Sequence, residues 1–318
     1  MITAIKVAVV LLVIVVGLGY VSAQNYTPFI PPAAGGSKAA SGLDQSLLSL
    51  LLGGETSTYG LFGLFAGAAI VFFAFIGFDI IATTAEETRN PQRDMPRGIL
   101  GALAIVTLLY VGVALVLTGM QPYTALATTD EGAATLATAF AAVGVDWAAA
   151  VISIGALAGL TTVVMVLLLG QTRVLLAMSR DGLIPRGLSA TGSRGTPVRI
   201  TVGVGVLVAI AAATVEFATL AELVNVGTLF AFVLVSIGII VLRRTRPELP
   251  RAFRVPLVPW LPIAAVLACL WLMLNLTAFT WLRFLGWMVL GLVLYFAYGA
   301  RKSRLRVTTP STGGDRVR

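Results

Sequence analysis

A chain of 318 residues that is 58% hydrophobic and 11% charged, with mean hydropathy +0.96, lies far from soluble domains, in which about a quarter of residues are charged. No water-soluble fold of this length can cover so much apolar surface, so the composition reads as an integral membrane protein. The formal charge of +8 comes from Lys and Arg placed between apolar runs, which is not a nucleic-acid footprint, and a chain with no His and one Cys has neither a disulfide of its own nor Cys/His zinc or His-dependent catalytic sites.

Eight apolar stretches are long enough to span a bilayer, near residues 5–22, 61–83, 98–120, 147–174, 198–215, 221–242, 259–279 and 281–300. Ten-residue segments of alternating polarity, the mark of a membrane barrel, are absent. The expected fold class is therefore all-α integral membrane, with about eight transmembrane helices. With residues 1–5 inside, twenty of the 22 basic residues fall on the cytoplasmic side and only Lys38 and Arg283 outside. Both termini are thus expected in the cytoplasm.

The first stretch carries Lys6 near its start, where a lone cation ordinarily snorkels to the headgroups. It has a rival reading as a signal peptide cleaved after Val21-Ser22-Ala23, opposed by its single positive charge and its 18-residue apolar run. The Pro-, Gly- and Ser-rich segment 23–60 reads as a largely irregular loop outside the membrane.

In the second stretch, Asp79 follows Phe72-Phe73-Ala74-Phe75-Ile76-Gly77-Phe78. A carboxylate inside a span costs several kcal/mol unless it is paired or protonated, so Asp79 is either functional or a helix cap. Gly77 lets the backbone open or a neighbour approach. Thr83, Thr84, Glu86 and Glu87 come next, then a charged loop over 89–97, either locked by ion pairs or simply solvated. There Asn90-Pro91 makes a turn and Pro96 suits the first turn of the next helix.

Further along, Thr161 and Thr162 lie deep in the fourth span beside small residues, where hydroxyls usually bond back to their own helix. Asn225 and Thr228 in the sixth span are equally open between structure and function. Residues 203–205 form a Gly-x-Gly inside apolar helix, without the strand a nucleotide loop requires. Residues 243–258 read as a cytoplasmic linker, and 301–318 as a polar, disordered tail whose basic cluster anchors topology on anionic lipid.

Three blocks carry a resemblance to the amino acid–polyamine–cation permease superfamily, in its cationic amino acid transporter branch. They are Phe72 to Asp79 continuing through Ala85 to Pro96, Gly155 to Thr162 continuing to Gly170-Gln171-Thr172-Arg173 and Ala177 to Leu183, and Glu222 to Leu229. The resemblance implies a partial inverted-repeat fold, with the eight helices corresponding to family helices 5–12 and the first four not encoded in this chain. Residues 1–22 would be helix 5, which favours a retained first helix over a signal peptide. Residues 61–242 would form the second repeat, helices 6–10, and residues 259–300 helices 11 and 12.

By the same resemblance, 61–83 is the broken helix of the substrate pocket. Phe73, Ala74 and Ile76 would offer carbonyls to a substrate ammonium beside Gly77, with Phe73 also the aromatic gate. Lys6 resembles the lysine that replaces a sodium ion in proton-coupled relatives, with Thr161 and Thr162 facing it and Asp79 supporting the break. The implied activity is secondary active, proton-coupled amino acid transport in the cell (inner) membrane, with no cofactor, no resident metal and no nucleic-acid partner. Expected partners are the amino acid, the bilayer and a chain supplying family helices 1–4. A cationic substrate would need an acidic or carbonyl-lined subsite, so a neutral amino acid stays open. The alternative is a non-transporting fragment or scaffold subunit of a full-length permease. A membrane enzyme would need a convergent acid pair, whereas Asp79 is the one acid well inside a span.

Overall fold

The computed structural model describes residues 2–32, 42–53, 59–78, 80–83, 88–123, 135–185, 187, 197–249, 251 and 253–300. Asp79, Thr84, Glu86, Glu87 and the tail 301–318 lie outside the described residues. Helices occur at all eight expected places: α1 (Ile2–Leu18), the pair α3 (Gly60–Val71) and α4 (Ile80–Thr83), α5 (Pro91–Met120), α7 (Asp146–Arg180), α8 (Val198–Thr214), α9 (Phe217–Thr245), α10 (Trp260–Leu274) and α11 (Ala278–Leu294). Two short helices join them, α2 (Leu47–Leu52) and α6 (Leu136–Ala142). Among the described residues there is no strand, only a single bridge between Ser46 and Thr277. Helix is what lipid demands, because it satisfies each backbone group within its own segment.

Among the described residues, five helical stretches are long and apolar enough to cross a membrane: Gly63–Ala82, Pro91–Met120, Asp146–Arg180, Phe217–Thr245 and Ala278–Gly299. Three of the eight expected spans are shorter. Helices α1 and α8 have 17 residues and α10 has 15, so at 1.5 Å per residue they reach about 22–26 Å, short of a hydrocarbon core of about 30 Å.

One boundary is corrected. Helix α5 starts at Pro91, so the charged segment expected as a loop over 89–97 is mostly helix. Pro91 sits at the helix start, where its missing N–H costs nothing, and Pro96 lies inside the helix. The segment 23–60, expected to be largely irregular, contains 3-10 turns at Ala23–Tyr26 and Gly42–Asp44 as well as α2. Helix α2 forms because Ser46 caps it, its side chain accepting from the Ser49 N–H at 3.2 Å. It is docked by backbone bonds from Leu47 N–H to the Leu276 carbonyl and from Ala278 N–H to that of Gln45, at 2.9 and 2.8 Å.

The described residues fall in two compact units, those within 2–167 and 218–281, and those within 168–217 and 282–300. In the first, Val13, Val116, Met120, Phe140, Val145, Ala148 and Ile152 make a buried core where α1 meets α5, α6 and the start of α7. The helices approach through glycines. A Cβ on Gly17 would collide with Val116, and one on Gly155 would lie 2.8 Å from the Val9 side chain. The last carbonyls of α5, which a helix end leaves unpaired, are capped from the turn after α1. Ser22 N–H and Asn25 Nδ2 donate to the Gly119 carbonyl at 2.8 and 2.7 Å, and Tyr26 Oη to that of Leu115 at 2.7 Å.

The linker after α9 is ordered by two arginines. Arg251 donates to the carbonyls of Leu242, Arg246, Pro247 and Leu249 at 2.6–3.3 Å, and Arg243 to that of Val255 at 2.9 Å. In the second unit, the end of α7 turns through Gly182, at φ +78°, and Ser179 Oγ donates to the Pro185 carbonyl at 3.0 Å. Gly299, in the π-helical turn Tyr295–Gly299 that ends α11, comes close to Leu183.

Candidate functional site

The centre of the site is an interruption in a helix. After Val71 the chain tightens into a 3-10 turn over Phe72–Phe75, Ile76 is extended at φ −64° and ψ 136°, and Gly77 sits at φ +121°. That last conformation is one L side chains rarely adopt, so glycine is required by the backbone and not by space: a Cβ there would meet nothing within 4 Å. Helix resumes at Ile80. The helix interruption that the resemblance implies for 61–83 is present among the described residues.

Breaking the ladder releases carbonyls, and the fold answers some of them. Phe73 accepts from Ile76 N–H and Gly77 from Ile80 N–H, each at 3.2 Å. Ala74, exposed, accepts from the phenol of Tyr110 at 2.7 Å. Tyr110 comes from the middle of α5, and its ring also meets Phe75 edge-on, centroids 5.1 Å apart. On the other flank, Phe232 of α9 packs against Phe72 at 6.1 Å and Phe78 at 5.4 Å. Sequence reasoning missed both residues. The available signal for Tyr110 was a phenol in mid-span, which needs a partner there; Phe232 has no such mark in an apolar helix.

Asn225 of α9 explains where α3 stops. It is 1% exposed and donates through Nδ2 to the carbonyls of Ala69 and Ile70, at 3.1 and 3.5 Å. These carbonyls belong to the last turn of α3, where the chain passes into the 3-10 turn. The Asn225 Oδ1 atom is buried without a hydrogen-bond partner. Thr228 lies one turn further along α9 and is half-buried.

A cavity of about 300 Å³ opens beside the break, lined by Thr3 and Lys6 of α1, Ile76, Gly77 and Ile80 of the break, and Thr162, Val163, Val166 and Leu167 of α7. Lys6 is half-buried. Its aliphatic stem lies over Gly159, with Cε 3.7 Å from where a Cβ would be. Thr162 bonds back to the Gly159 carbonyl at 2.7 Å. Thus Lys6, Ile76, Gly77 and Thr162, chosen from three distant stretches of sequence, share one space. Phe73, half-buried, and Ala74 lie on the break but outside this lining. So does Thr161, which is exposed and bonds back to Leu157 at 2.9 Å. The contribution of Asp79 lies outside the described residues.

A second acid was also missed. Glu222, in the first turns of α9, accepts hydrogen bonds from Thr277 Oγ1 at 2.8 Å and from Thr280 Oγ1. Thr277 in turn accepts from the Thr280 backbone N–H at 3.3 Å at the start of α11. The carboxylate therefore ties α9 to the α10–α11 turn, on which α2 is also docked.

Known proteins are similar to this chain in sequence. The model of the amino acid permease family matches residues 1–296. The branched-chain amino acid permease BcaP of Bacillus subtilis is 43% identical over 94% of this chain and 58% of its own length. The methylthioribose transporter of the same organism is also 43% identical, over 94% of this chain and 59% of its own. A vacuolar cationic amino acid transporter of Arabidopsis thaliana is 44% identical over 60% of this chain and 29% of its own length. The chain spans about six-tenths of the length of the two bacterial relatives. A match across nearly all its residues, joined to an apolar helical fold with a broken helix beside Lys6, places the chain in the amino acid permease family, as a multi-pass integral membrane protein.

Proposed function

We propose that this chain acts in secondary active transport of amino acids across the cell membrane, with the proton as coupling ion and both termini in the cytoplasm. The observation that supports this most is the shared cavity: the Gly77 break and the Lys6 ammonium border the same space. An interrupted helix offers carbonyls to a substrate ammonium, and a lysine in a half-buried site can bind and release a proton as its surroundings change. In this reading Ile76 and Gly77 supply the substrate face within the cavity, Phe73 and Ala74 flank it on the break, Lys6 carries the proton with Thr162 beside it, and Asn225 holds the end of α3.

The cavity walls favour one substrate class. Ile76, Ile80, Val163, Val166 and Leu167 are aliphatic, and the one charged residue in the lining, among those described, is a cation. Apolar surface rewards an aliphatic side chain, while Lys6 repels a cationic one. We therefore assign neutral, aliphatic amino acids ahead of cationic ones.

The test is uptake by the purified 318-residue chain in proteoliposomes under an inward proton gradient, using radiolabelled leucine, valine, lysine and arginine. Saturable leucine or valine uptake that disappears when the gradient is collapsed is the expected result. Uptake of lysine and arginine alone would overturn the substrate class. No uptake by folded, inserted chain would overturn transport by this chain and support a non-transporting membrane subunit.

A further inference from the structure

A second cavity, of about 420 Å³, lies away from the break and is lined by Gln92, Arg93, Pro96, Arg97 and Leu100 of α5 and by Phe253 of the linker after α9. We propose that this cavity is a binding site for a phosphate-bearing anion, gripped by Arg93 and Arg97, with a lipid headgroup as the source its walls favour. The site does not depend on what the chain transports.

Arg93 and Arg97 are four residues apart on one helix, so their side chains rise from the same face about one turn from each other. Both line the cavity and both are exposed. A guanidinium presents a planar fork of donors matched to phosphate oxygens, and two at this spacing can take a single phosphate from two sides. Pro96, between them, has no N–H to give the Gln92 carbonyl.

The rest of the lining includes two apolar side chains. Leu100 is 57% exposed and Phe253 is 50% exposed. Phe253 is held by the linker whose path Arg243 and Arg251 fix through backbone carbonyls. Those two arginines are engaged in structure, whereas Arg93 and Arg97 face the cavity.

A cationic end next to an exposed aliphatic and aromatic wall fits a molecule with a phosphate at one end and hydrocarbon at the other. The cavity also lies at the start of a membrane-crossing helix, in the stretch of Lys and Arg that the charge distribution assigns to the cytoplasmic side. Anionic lipids are concentrated in that leaflet, and basic pockets there bind their headgroups. A soluble phosphate has the same chemistry at the arginines but gains nothing from Leu100 and Phe253.

The experiment is native mass spectrometry of the purified chain with phosphatidylglycerol in a phosphatidylcholine background, comparing Arg93→Gln/Arg97→Gln with Arg244→Gln/Arg246→Gln. Each pair removes two positive charges, and the first alone empties the cavity of its cations. Retained phosphatidylglycerol should fall about tenfold in the cavity pair and stay within about twofold of the parent in the control pair. Equal losses in both pairs, or no loss in the cavity pair, would overturn the site.

Added inorganic phosphate separates the sources. Displacement of lipid, with phosphate binding that needs the same two arginines, identifies free phosphate as the occupant. Undisturbed lipid identifies the headgroup. Should the Gln pair fail to fold, Arg93→Lys/Arg97→Lys keeps both charges and loses the forks. Its retention should lie between those of parent and background, and retention equal to the parent would overturn guanidinium recognition.

Discussion

The seam between α1 and α5 and the break between α3 and α4 are both apolar and both depend on glycine, yet for opposite reasons. At the seam, Gly17 is small because Val116 occupies the space a side chain would need. At the break, Gly77 has open space around it and is glycine because the backbone sits at φ +121°. The seam is closed around Val13 and Phe140, 1% and 0% exposed, and its helix ends are capped by Ser22, Asn25 and Tyr26. The break borders a cavity and leaves backbone groups to be answered from other helices, by Tyr110 and Asn225. Rigidity is concentrated in one region and chemistry in the other, and α1 joins them by carrying Gly17 at one end and Lys6 at the other.

Substitutions sharpen that contrast in order of effect. The largest is expected at the cavity: Lys6→Ala should reduce proton-driven uptake in proteoliposomes to background while leaving membrane insertion unchanged, and uptake with its pH dependence intact would remove the coupling role. Next is the seam, where Gly17→Val forces a branched side chain into Val116 and should cost about 3 kcal/mol, read as a fall in unfolding midpoint in detergent. Gly77→Ala asks the backbone alone and should cost about 2 kcal/mol. If Gly77→Ala were as stable as the parent, the break would not be held at that conformation.

Smaller effects follow. Tyr110→Phe keeps the ring against Phe75 and removes one hydrogen bond, for a loss of about 1 kcal/mol, and a larger loss would mean the phenol supports more than Ala74. Thr161→Val, outside the cavity lining, should change stability by less than about 0.5 kcal/mol and leave uptake alone. Thr162→Val at the neighbouring position is the matched comparison, and equal behaviour of the two would remove any special place for Thr162.

Much of the fold was legible because membrane helices are written locally. Runs of apolar residues gave all eight helix positions, and Gly77, after the three aromatics Phe72, Phe73 and Phe75, stood in the span where the resemblance implied a break. Lys6 and Thr162 could be picked out as polar groups in apolar runs. What escaped was non-local or hidden by composition. Tyr110 meets Ala74 across 36 residues and Asn225 meets Ala69 across 156, separations to which periodicity is blind. The early start of α5 was hidden because Pro, Arg and Asp read as loop, although Pro91 at the first position is compatible with helix. Helix α2 was masked by its Pro- and Gly-rich surroundings, and its docking partners lie near residue 277. Glu222 stood in a resemblance block with no role assigned to it, because its partners Thr277 and Thr280 lie 55 and 58 residues away.

The phenol of Tyr110 gives Ala74 a resting partner, and this bears on turnover. A bare carbonyl inside a membrane protein would hold any arriving ammonium tightly, and departure would then be slow. Because Ala74 already has a donor, an amine bound there, as proposed above, would take the carbonyl's second lone pair or replace the phenol, and either way would gain less than from a bare acceptor. Such an exchange lowers the ceiling on affinity and shortens residence together. In the transport proposed here, where what is picked up must be let go, a half-satisfied acceptor is the faster arrangement.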